Sequence, residues 1–301
     1  MNIKSLNADF GVADRLNFVE GPGGLIQAHV RNIHAEAVIS TYAGQVLSYQ
    51  PMGDPDDLLF VSEAAYYAEG EAIKGGVPIC WPWFGPDPEG LGRPSHGFVR
   101  NRQWNFMAAS VLDDNAMRLV LGLESSDETR AIWPYDFSLR IEIAVGRSLR
   151  LDLKTTNTGD APFDLTQALH SYFRVGDIRR TDVLGLEGKQ YIDKLEGGVA
   201  KTQVGVLSIE GEVDRIYAEV SDDLIIEDPG LERRIVIRSS GSNSAVVWNP
   251  WAHTAAKMAD LGDEDFQHML CVETTNAGED VVHVNPGETC LLGAEIWIRR
   301  D

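Results

Sequence analysis

The chain has 301 residues, 44% of them hydrophobic and 24% charged, and its 26 Lys and Arg against 46 Asp and Glu give a formal net charge of −20. This apolar fraction is ordinary for a globular protein and too high for a disordered chain. Such an acidic protein repels the phosphates of nucleic acids and of anionic lipids, so we expect neither a nucleic-acid partner nor a membrane partner.

Cysteine content and hydropathy bear on the cellular compartment. The three cysteines, Cys80, Cys271 and Cys290, form no CxxC pair, and their odd number does not indicate a disulfide framework. No apolar stretch approaches the roughly 20 residues of a transmembrane helix, and residues 1–11 lack the apolar run of a signal peptide. A cytoplasmic protein is therefore expected.

Alternation of apolar and polar residues, the pattern of β-strands, dominates the chain. Predicted strands cover residues 57–63, 116–124, 137–145, 149–153, 232–239, 244–249, 269–274 and 294–300. The short VGRS connection between 137–145 and 149–153 predicts a hairpin, and one short helix is predicted over 263–269. Many strands without a βαβ alternation predict a single all-β domain over residues 1–301, a large antiparallel β-sandwich or barrel.

The segment 74–104 concentrates Gly, Pro, aromatic and basic residues. Its large aromatic side chains are Trp81, Trp83, Phe84, Phe98 and Trp104. Its basic side chains include Lys74, His96, Arg100 and Arg102. Aromatic faces beside polar groups suit sugars, whose C–H faces stack on the rings; the alternative is a loop that packs its aromatics into the core. The basic residues favour a functional loop. Arg93, between Gly and Pro, is predicted at an exposed loop tip.

Three further residues are candidates, each with a structural alternative. His170 is expected at a strand end, as a functional or a purely structural histidine. Glu273 interrupts an apolar strand, and a buried carboxylate is rarely without purpose; strand alternation could equally place it on the solvent face. Asp214 could be a turn residue or the partner of Arg215. No HxH, HExxH or GxSxG motif indicates a metal site or a serine hydrolase.

Five motifs, in their order along the chain, resemble one family. The motifs are KGGVPICWPWFGP, SHGFVRNRQW, ALHSYF, DRIY and CVET. Together they resemble the hexose-6-phosphate mutarotases, or glucose-6-phosphate 1-epimerases, a branch of the galactose mutarotase-like superfamily. The resemblance covers about residues 28–298. It implies a large antiparallel β-supersandwich and interconversion of the α and β anomers of an aldohexose 6-phosphate. No metal or other cofactor is implied, and the partner is a small sugar or sugar phosphate. The oligomeric state stays open, a monomer included.

The resemblance also implies the catalytic pair. His170 matches the histidine of the LHxYF segment, and Glu273 matches the glutamate of the CVE segment. Glu273 is then the base for the C1 hydroxyl and His170 the acid for the ring oxygen. We expect the two side chains on opposite sides of the hemiacetal.

The substrate-binding residues follow in the same way. Lys74, Ser95, Arg100 and Asp214 match positions that contact the substrate, and His96 lies within the same motif and lines the pocket. Lys74 stands where the family commonly has Arg, and Ser95 where it often has Gln or a small residue. A lysine attracts phosphate but lacks the planar bidentate fork of arginine.

Two other functions remain open from the sequence. One is a mutarotase of unphosphorylated aldoses, and the other is a non-catalytic carbohydrate-binding protein. Both matched catalytic residues are intact, which favours an enzyme, while Lys74 and Arg100 favour a phosphorylated substrate.

Overall fold

Four β-sheets hold most of the regular structure in the computed structural model, which describes residues 2–300. The strands are β1 (Leu16–Glu20), β2 (Ile26–Arg31), β3 (Ala35–Ser40), β4 (Val46–Pro51), β5 (Ile79–Cys80), β6 (Asn105–Val111), β7 (Met117–Glu124), β8 (Phe137–Val145), β9 (Leu149–Asn157), β10 (Phe163–Leu165), β11 (Gln167–Leu169), β12 (Tyr172–Arg174), β13 (Asp182–Leu184), β14 (Gln190–Asp193), β15 (Val199–Thr202), β16 (Leu207–Ser208), β17 (Val213–Ala218), β18 (Leu224–Asp228), β19 (Arg233–Ser240), β20 (Ser244–Asn249), β21 (Met269–Asn276), β22 (Val282–Val284) and β23 (Thr289–Arg299).

Helical structure is confined to short segments. The helices are α1 (Ile3–Phe10), α2 (Asp127–Ile132) and α3 (Trp251–Ala255), with 3₁₀ turns at Pro22–Gly24, Val99–Asn101, Ile178–Arg180, Lys194–Glu196 and Asp265–His268. The predicted helix over 263–269 is present only as the last of these turns, because β21 begins at Met269. Within residues 2–300, no helix combines the length and the apolar character needed to cross a membrane.

Two large antiparallel sheets form the body of the fold. One has eight strands, in the order β15-β14-β17-β20-β21-β11-β5 with β12 also on β21; the other has nine, in the order β16-β13-β18-β19-β23-β9-β8-β7-β6. Strands β11 and β21 of the first sheet pack against β23 of the second, and the four-stranded sheet β1–β4 packs through β3 on β8. The predicted all-β antiparallel sandwich is confirmed.

Most predicted strands are confirmed to within one or two residues at their starts, or lie inside longer strands. The prediction over 57–63 is wrong, because that segment makes only isolated bridges at Leu59 and Val61. Its amides donate to unrelated segments: Leu58 N–H to the carbonyl of Tyr49 (2.9 Å) and Phe60 N–H to that of Tyr172 (3.0 Å). No single neighbour supplies a continuous ladder, so the extended segment does not become a strand.

The aromatics of segment 74–104 divide unequally between core and pocket. Trp81, Trp83, Phe98 and Trp104 are buried in the main hydrophobic core, so core packing is the correct interpretation for these four. Phe84 is only partly buried. The prediction of an exposed Arg93 is also wrong.

Arg93 is held against the protein rather than in solvent. Its side chain is only 10% exposed, its guanidinium carbon lies 4.4 Å from the centroid of the Trp83 ring, and its Nε donates to Asp87 at 2.9 Å. Contact of its guanidinium with an aromatic face and pairing with a carboxylate both favour this position. The exposed tip of the loop lies at Gly90–Gly92 instead.

Candidate active site

A histidine and a glutamate that are distant in sequence meet at the centre of the eight-stranded sheet. Strands β11 and β12 both pair with β21, and His170 lies in the connection between them. His170 Nε2 is 3.4 Å from Glu273 Oε1. Every residue of β21 is buried, and Glu273 is 2% exposed, so the alternative that places it on the solvent face is wrong.

Burial changes the acid–base properties of both groups in opposite directions. Burial, with Asp214 as a further contribution, raises the pKa of Glu273 well above its ordinary value. Burial lowers the pKa of His170 well below its ordinary value, and the nearby His96 and Arg100 add to this shift. Within residues 2–300, His170 Nδ1 and Glu273 Oε2 have no hydrogen-bond partner. Burial therefore favours the neutral form of each group, a protonated Glu273 and an unprotonated His170, over the ion pair.

His96 is a neutral hydrogen-bond donor toward the same space. Its ring centroid lies 5.7 Å from that of His170, and its Nδ1 accepts the backbone N–H of Gly85 at 3.3 Å. An accepting Nδ1 requires the proton on Nε2. Burial, together with the positive charge of Arg100, lowers the pKa of His96 to about 3, so this tautomer persists at neutral pH.

The backbone around His96 is under tight steric control. His96 itself has a φ of 63°, which is uncommon for a residue other than glycine. At the following Gly97, with a φ of 75°, a Cβ atom would lie 1.8 Å from the carbonyl oxygen of Trp81. Only glycine fits there, so the backbone that carries His96 tolerates no side chain at the next position.

Two cations of the same segment act on the pair. The ammonium of Lys74 lies 3.2 Å from Asp260. The Arg100 guanidinium donates to the carbonyl of Ser95 at 3.0 Å and has no carboxylate partner within residues 2–300. The positive charges of both cations act on His170 and help to lower its pKa.

Ser95 is less directly placed. Its side chain is exposed, and its hydroxyl donates to the carbonyl of Gly85 at 3.0 Å. Its connection to the pocket is the backbone carbonyl that accepts from Arg100. The structure therefore brings six of the seven predicted residues around one space, and it places Ser95 at the rim.

Asp214 approaches this space from strand β17. It pairs with Lys194, whose Nζ is 2.9 Å from Asp214 Oδ2. Arg215 instead faces Asp193, at 3.5 Å. Both alternatives from the sequence, a turn residue and a partner of Arg215, are therefore wrong.

Sequence reasoning missed three residues of the pocket. Tyr172 stacks on His170, with centroids 4.8 Å apart and planes 12° apart, and Trp248 of β20 meets His170 edge-on at 6.2 Å. Lys194 is the third. Tyr172 could have been found from its place in the ALHSYF motif, whereas nothing near Trp248 or Lys194 in the sequence marks them. Arg102, a further basic residue of segment 74–104, is instead paired with Glu128 at 3.3 Å.

The donor set in residues 2–300 includes no group of three or more His, Cys, Asp or Glu side chains arranged to hold a metal ion. The chemistry available to the described residues is that of a buried carboxylate and imidazole, a neutral imidazole donor, and cations. Such a combination is chemically suited to moving protons on a polar, anionic or hydroxylated molecule.

Comparison with known proteins gives close relatives by sequence. The chain is 36% identical over 247 residues to a protein of Escherichia coli K12, which covers 81% of both chains. It is 36% identical over 288 residues to a protein of Cenchrus ciliaris, covering 90% of this chain and 84% of the relative. Both relatives carry the name "putative glucose-6-phosphate 1-epimerase".

Solved structures agree with the sequence relatives. A "putative mutarotase" from Salmonella typhimurium superimposes with a TM-score of 0.90 at 30% identity, covering 99% of both chains. A galactose mutarotase-like protein from Clostridium acetobutylicum, at 14% identity and a TM-score of 0.74, shares the fold over 95% of this chain and 98% of its own. The family model described as aldose 1-epimerase matches residues 27–297. The chain therefore belongs to the aldose 1-epimerase family and is an isomerase of the epimerase type.

Proposed function

We propose that the protein interconverts the α and β anomers of an aldohexose 6-phosphate, with glucose 6-phosphate as the first candidate. The observation that carries the proposal is the buried contact of 3.4 Å between His170 and Glu273. Lys74 and Arg100 lie close enough to shift the pKa of His170, which supports an anionic substrate. The names of the sequence relatives support the same substrate.

The proposed reaction is a ring opening followed by a ring closure. The reactive form is the one in which the single proton of the pair lies on His170. The Glu273 carboxylate then takes the proton of the C1 hydroxyl while the protonated His170 gives a proton to the ring oxygen. The bond between C1 and the ring oxygen breaks, and an open-chain aldehyde forms. After rotation about the C1–C2 bond, the C5 hydroxyl attacks the other face of the aldehyde; His170 recovers its proton, and Glu273 returns its own to the new C1 hydroxyl.

The position of the pair differs from the expectation that the two groups flank the hemiacetal. A separation of 3.4 Å leaves no room for a sugar ring between His170 and Glu273. The two reacting oxygens are bonded to the same carbon, so neighbouring side chains reach both from one side. In this arrangement the pair shares a single proton in the resting enzyme, and the reaction requires no metal or other cofactor.

The remaining predicted residues bind the substrate in this proposal. Lys74 and Arg100 bind the phosphate, Asp214 accepts a hydrogen bond from a sugar hydroxyl, and His96 donates one from Nε2. Ser95 contributes by holding Arg100 through its carbonyl. A cationic pair suits a phosphate, which carries about −1.5 to −2 charges near neutral pH.

Anomer-resolved NMR exchange on glucose 6-phosphate, glucose, galactose and galactose 6-phosphate tests the proposal. We expect accelerated exchange with kcat/KM higher for the phosphorylated member of each pair. Equal efficiency on a sugar and its 6-phosphate would instead indicate a mutarotase of unphosphorylated aldoses. Saturable sugar binding without any acceleration would indicate a carbohydrate-binding protein and reject the proposal.

The pH dependence of the reaction follows from Glu273. The base must be ionised, so kcat/KM falls as the pH drops through its pKa, which burial raises above the ordinary 4.5. Asp214 contributes to that increase. We therefore expect Asp214→Asn to move the acid limb of the profile to lower pH. The limb should not move in the control Asp164→Asn, at an exposed carboxylate paired with His283; an unmoved limb in Asp214→Asn would contradict this role of Asp214.

We also propose that residues 1–301 form one domain that acts in the cytoplasm. One hydrophobic cluster includes residues from Leu6 to Ile296, which supports a single domain. Cys80, Cys271 and Cys290 are free thiols, the first two of them buried. Thiols without disulfides suit a reducing compartment.

A further inference from the structure

Lys194 lies at the active site although nothing in its sequence surroundings marks it. It begins the 3₁₀ turn Lys194–Glu196, which follows β14 and which Asp193 caps by accepting the backbone N–H of Leu195 at 3.1 Å. Strand β14 pairs with β17, so this turn sits beside Asp214. The Lys194 ammonium is 2.9 Å from Asp214 Oδ2, and its side chain is 36% exposed.

The charge of Lys194 reaches the reacting groups. Its ammonium lies 6.0 Å from the centroid of the Phe84 ring, and that ring packs edge-on against His96 at 4.9 Å. Lys194 contributes to lowering the pKa of His96 and the pKa of Glu273. It is therefore a third cation of the pocket, contributed by a different part of the chain from Lys74 and Arg100.

We propose that Lys194 is a specificity residue that exchanges its partner Asp214 for the phosphate of the substrate. In the substrate-free enzyme the ammonium neutralises the carboxylate. When a sugar phosphate binds, the flexible lysine stem turns the ammonium to the phosphate, and Asp214 is released to accept a sugar hydroxyl. This inference rests on the proposed function, since it concerns the same substrate and the same site.

Charge favours the exchange for a phosphate and not for a neutral sugar. A phosphate with about −1.5 to −2 charges competes with a single carboxylate for the ammonium, and it is held at the same time by Arg100. A partly exposed lysine is also mobile enough to change partner, because its ammonium sits at the end of a flexible four-carbon stem. A neutral sugar offers no competing anion, so the ion pair between Lys194 and Asp214 persists and Asp214 is less able to bind a hydroxyl.

The experiment compares Lys194→Met with Lys194→Arg and with the control Lys189→Met. Lys189 is a nearby lysine whose ammonium donates to the carbonyl of Glu219, so its replacement removes the same charge without altering the pocket. The measured quantity is kcat/KM for glucose 6-phosphate divided by kcat/KM for glucose. Changes in the pKa of Glu273 affect both sugars and cancel in this ratio.

We expect Lys194→Met to lower the ratio at least about tenfold, the size of one lost charge-assisted contact. Lys194→Arg should keep most of the ratio, and Lys189→Met should keep all of it. Inorganic phosphate should inhibit the Lys194→Met protein more weakly than the wild type, as a second measurement at the same site.

Three outcomes would overturn the inference. They are an unchanged ratio in Lys194→Met, an equal loss in Lys189→Met, and unchanged inhibition by inorganic phosphate. The inference and the proposed function fail in different ways. If the wild-type enzyme itself shows no preference for the phosphorylated sugar, the proposed substrate is wrong; if that preference exists and survives in Lys194→Met, only the role of Lys194 is wrong.

Discussion

Replacing Glu273 by Gln or His170 by Asn is expected to lower kcat for anomer exchange on glucose 6-phosphate by about 10²–10⁴-fold. Each side chain moves one of the two protons of the ring-opening step, and neither amide can take its place. Both replacements preserve most of the side-chain volume, so they remove the proton transfer while largely keeping the packing of the buried contact. The measurement is two-dimensional NMR exchange between the anomer signals at saturating substrate.

The double variant sharpens this prediction. Groups that act as one unit are not additive, so Glu273→Gln combined with His170→Asn should cost no more than the worse single replacement. If the decreases in kcat of the two single variants multiply in the double variant, the two groups contribute independently, which would contradict a shared proton. His283→Ala, at an exposed histidine paired with Asp164, should leave kcat unchanged.

The thermal stability of Glu273→Gln shows whether lost activity reflects unfolding, and the direction of its change is predicted. Because burial raises the pKa of Glu273, the folded state holds the proton of this group more tightly than the unfolded chain does. Above the ordinary pKa the unfolded state gains from ionisation, so the carboxyl reduces the stability of the fold at neutral pH. Glu273→Gln removes that cost, and its melting temperature at pH 7 should equal or exceed the wild-type value. A much lower melting temperature would attribute lost activity to unfolding.

The sequence predicted those parts of the fold that depend on local pattern. Strands β8 and β9 alternate because one face of each is buried, and the alternation is visible in the residues themselves. The segment 57–63 has similar residues, yet its backbone bonds to several unrelated segments and forms no ladder. Partner identity is a tertiary property, so composition could not decide between the two cases.

The candidate site divides in the same manner. The places of His170 and Glu273 were expected from a family resemblance, because no spacing rule joins residues so distant in the chain. For the aromatics of segment 74–104 the sequence left sugar stacking and core packing both open, and tertiary packing takes Trp81 and its neighbours into the core. Trp248 and Lys194 reach the pocket through the pairings of β20 with β21 and of β14 with β17, which the sequence does not reveal.

Arg100→Met is expected to lower kcat/KM for glucose 6-phosphate by roughly 10- to 150-fold more than kcat/KM for glucose. Hydrogen bonds to charged groups contribute about 1.5–3 kcal/mol, and each 1.4 kcal/mol corresponds to about tenfold. Arg100 has no carboxylate partner within the described part of the chain, so its guanidinium is available to a phosphate without first breaking an ion pair. Arg102→Met is the matched control, because Arg102 pairs with Glu128.

Lys74 and Arg100 differ in whether a carboxylate already holds the cation. Lys74 is held by Asp260 at 3.2 Å, and Asp260, unlike Asp214, has no proposed partner in the substrate. A phosphate therefore gains from the Lys74 ammonium only the excess over an existing ion pair. Lys74→Met should therefore reduce the preference for the phosphorylated sugar less than Arg100→Met does. Arg100→Lys should recover only part of the loss, because an ammonium lacks the bidentate fork. Equal losses on glucose and glucose 6-phosphate in Arg100→Met would place Arg100 at the reacting carbon, through its effect on the pKa of His170 and Glu273, rather than at the phosphate.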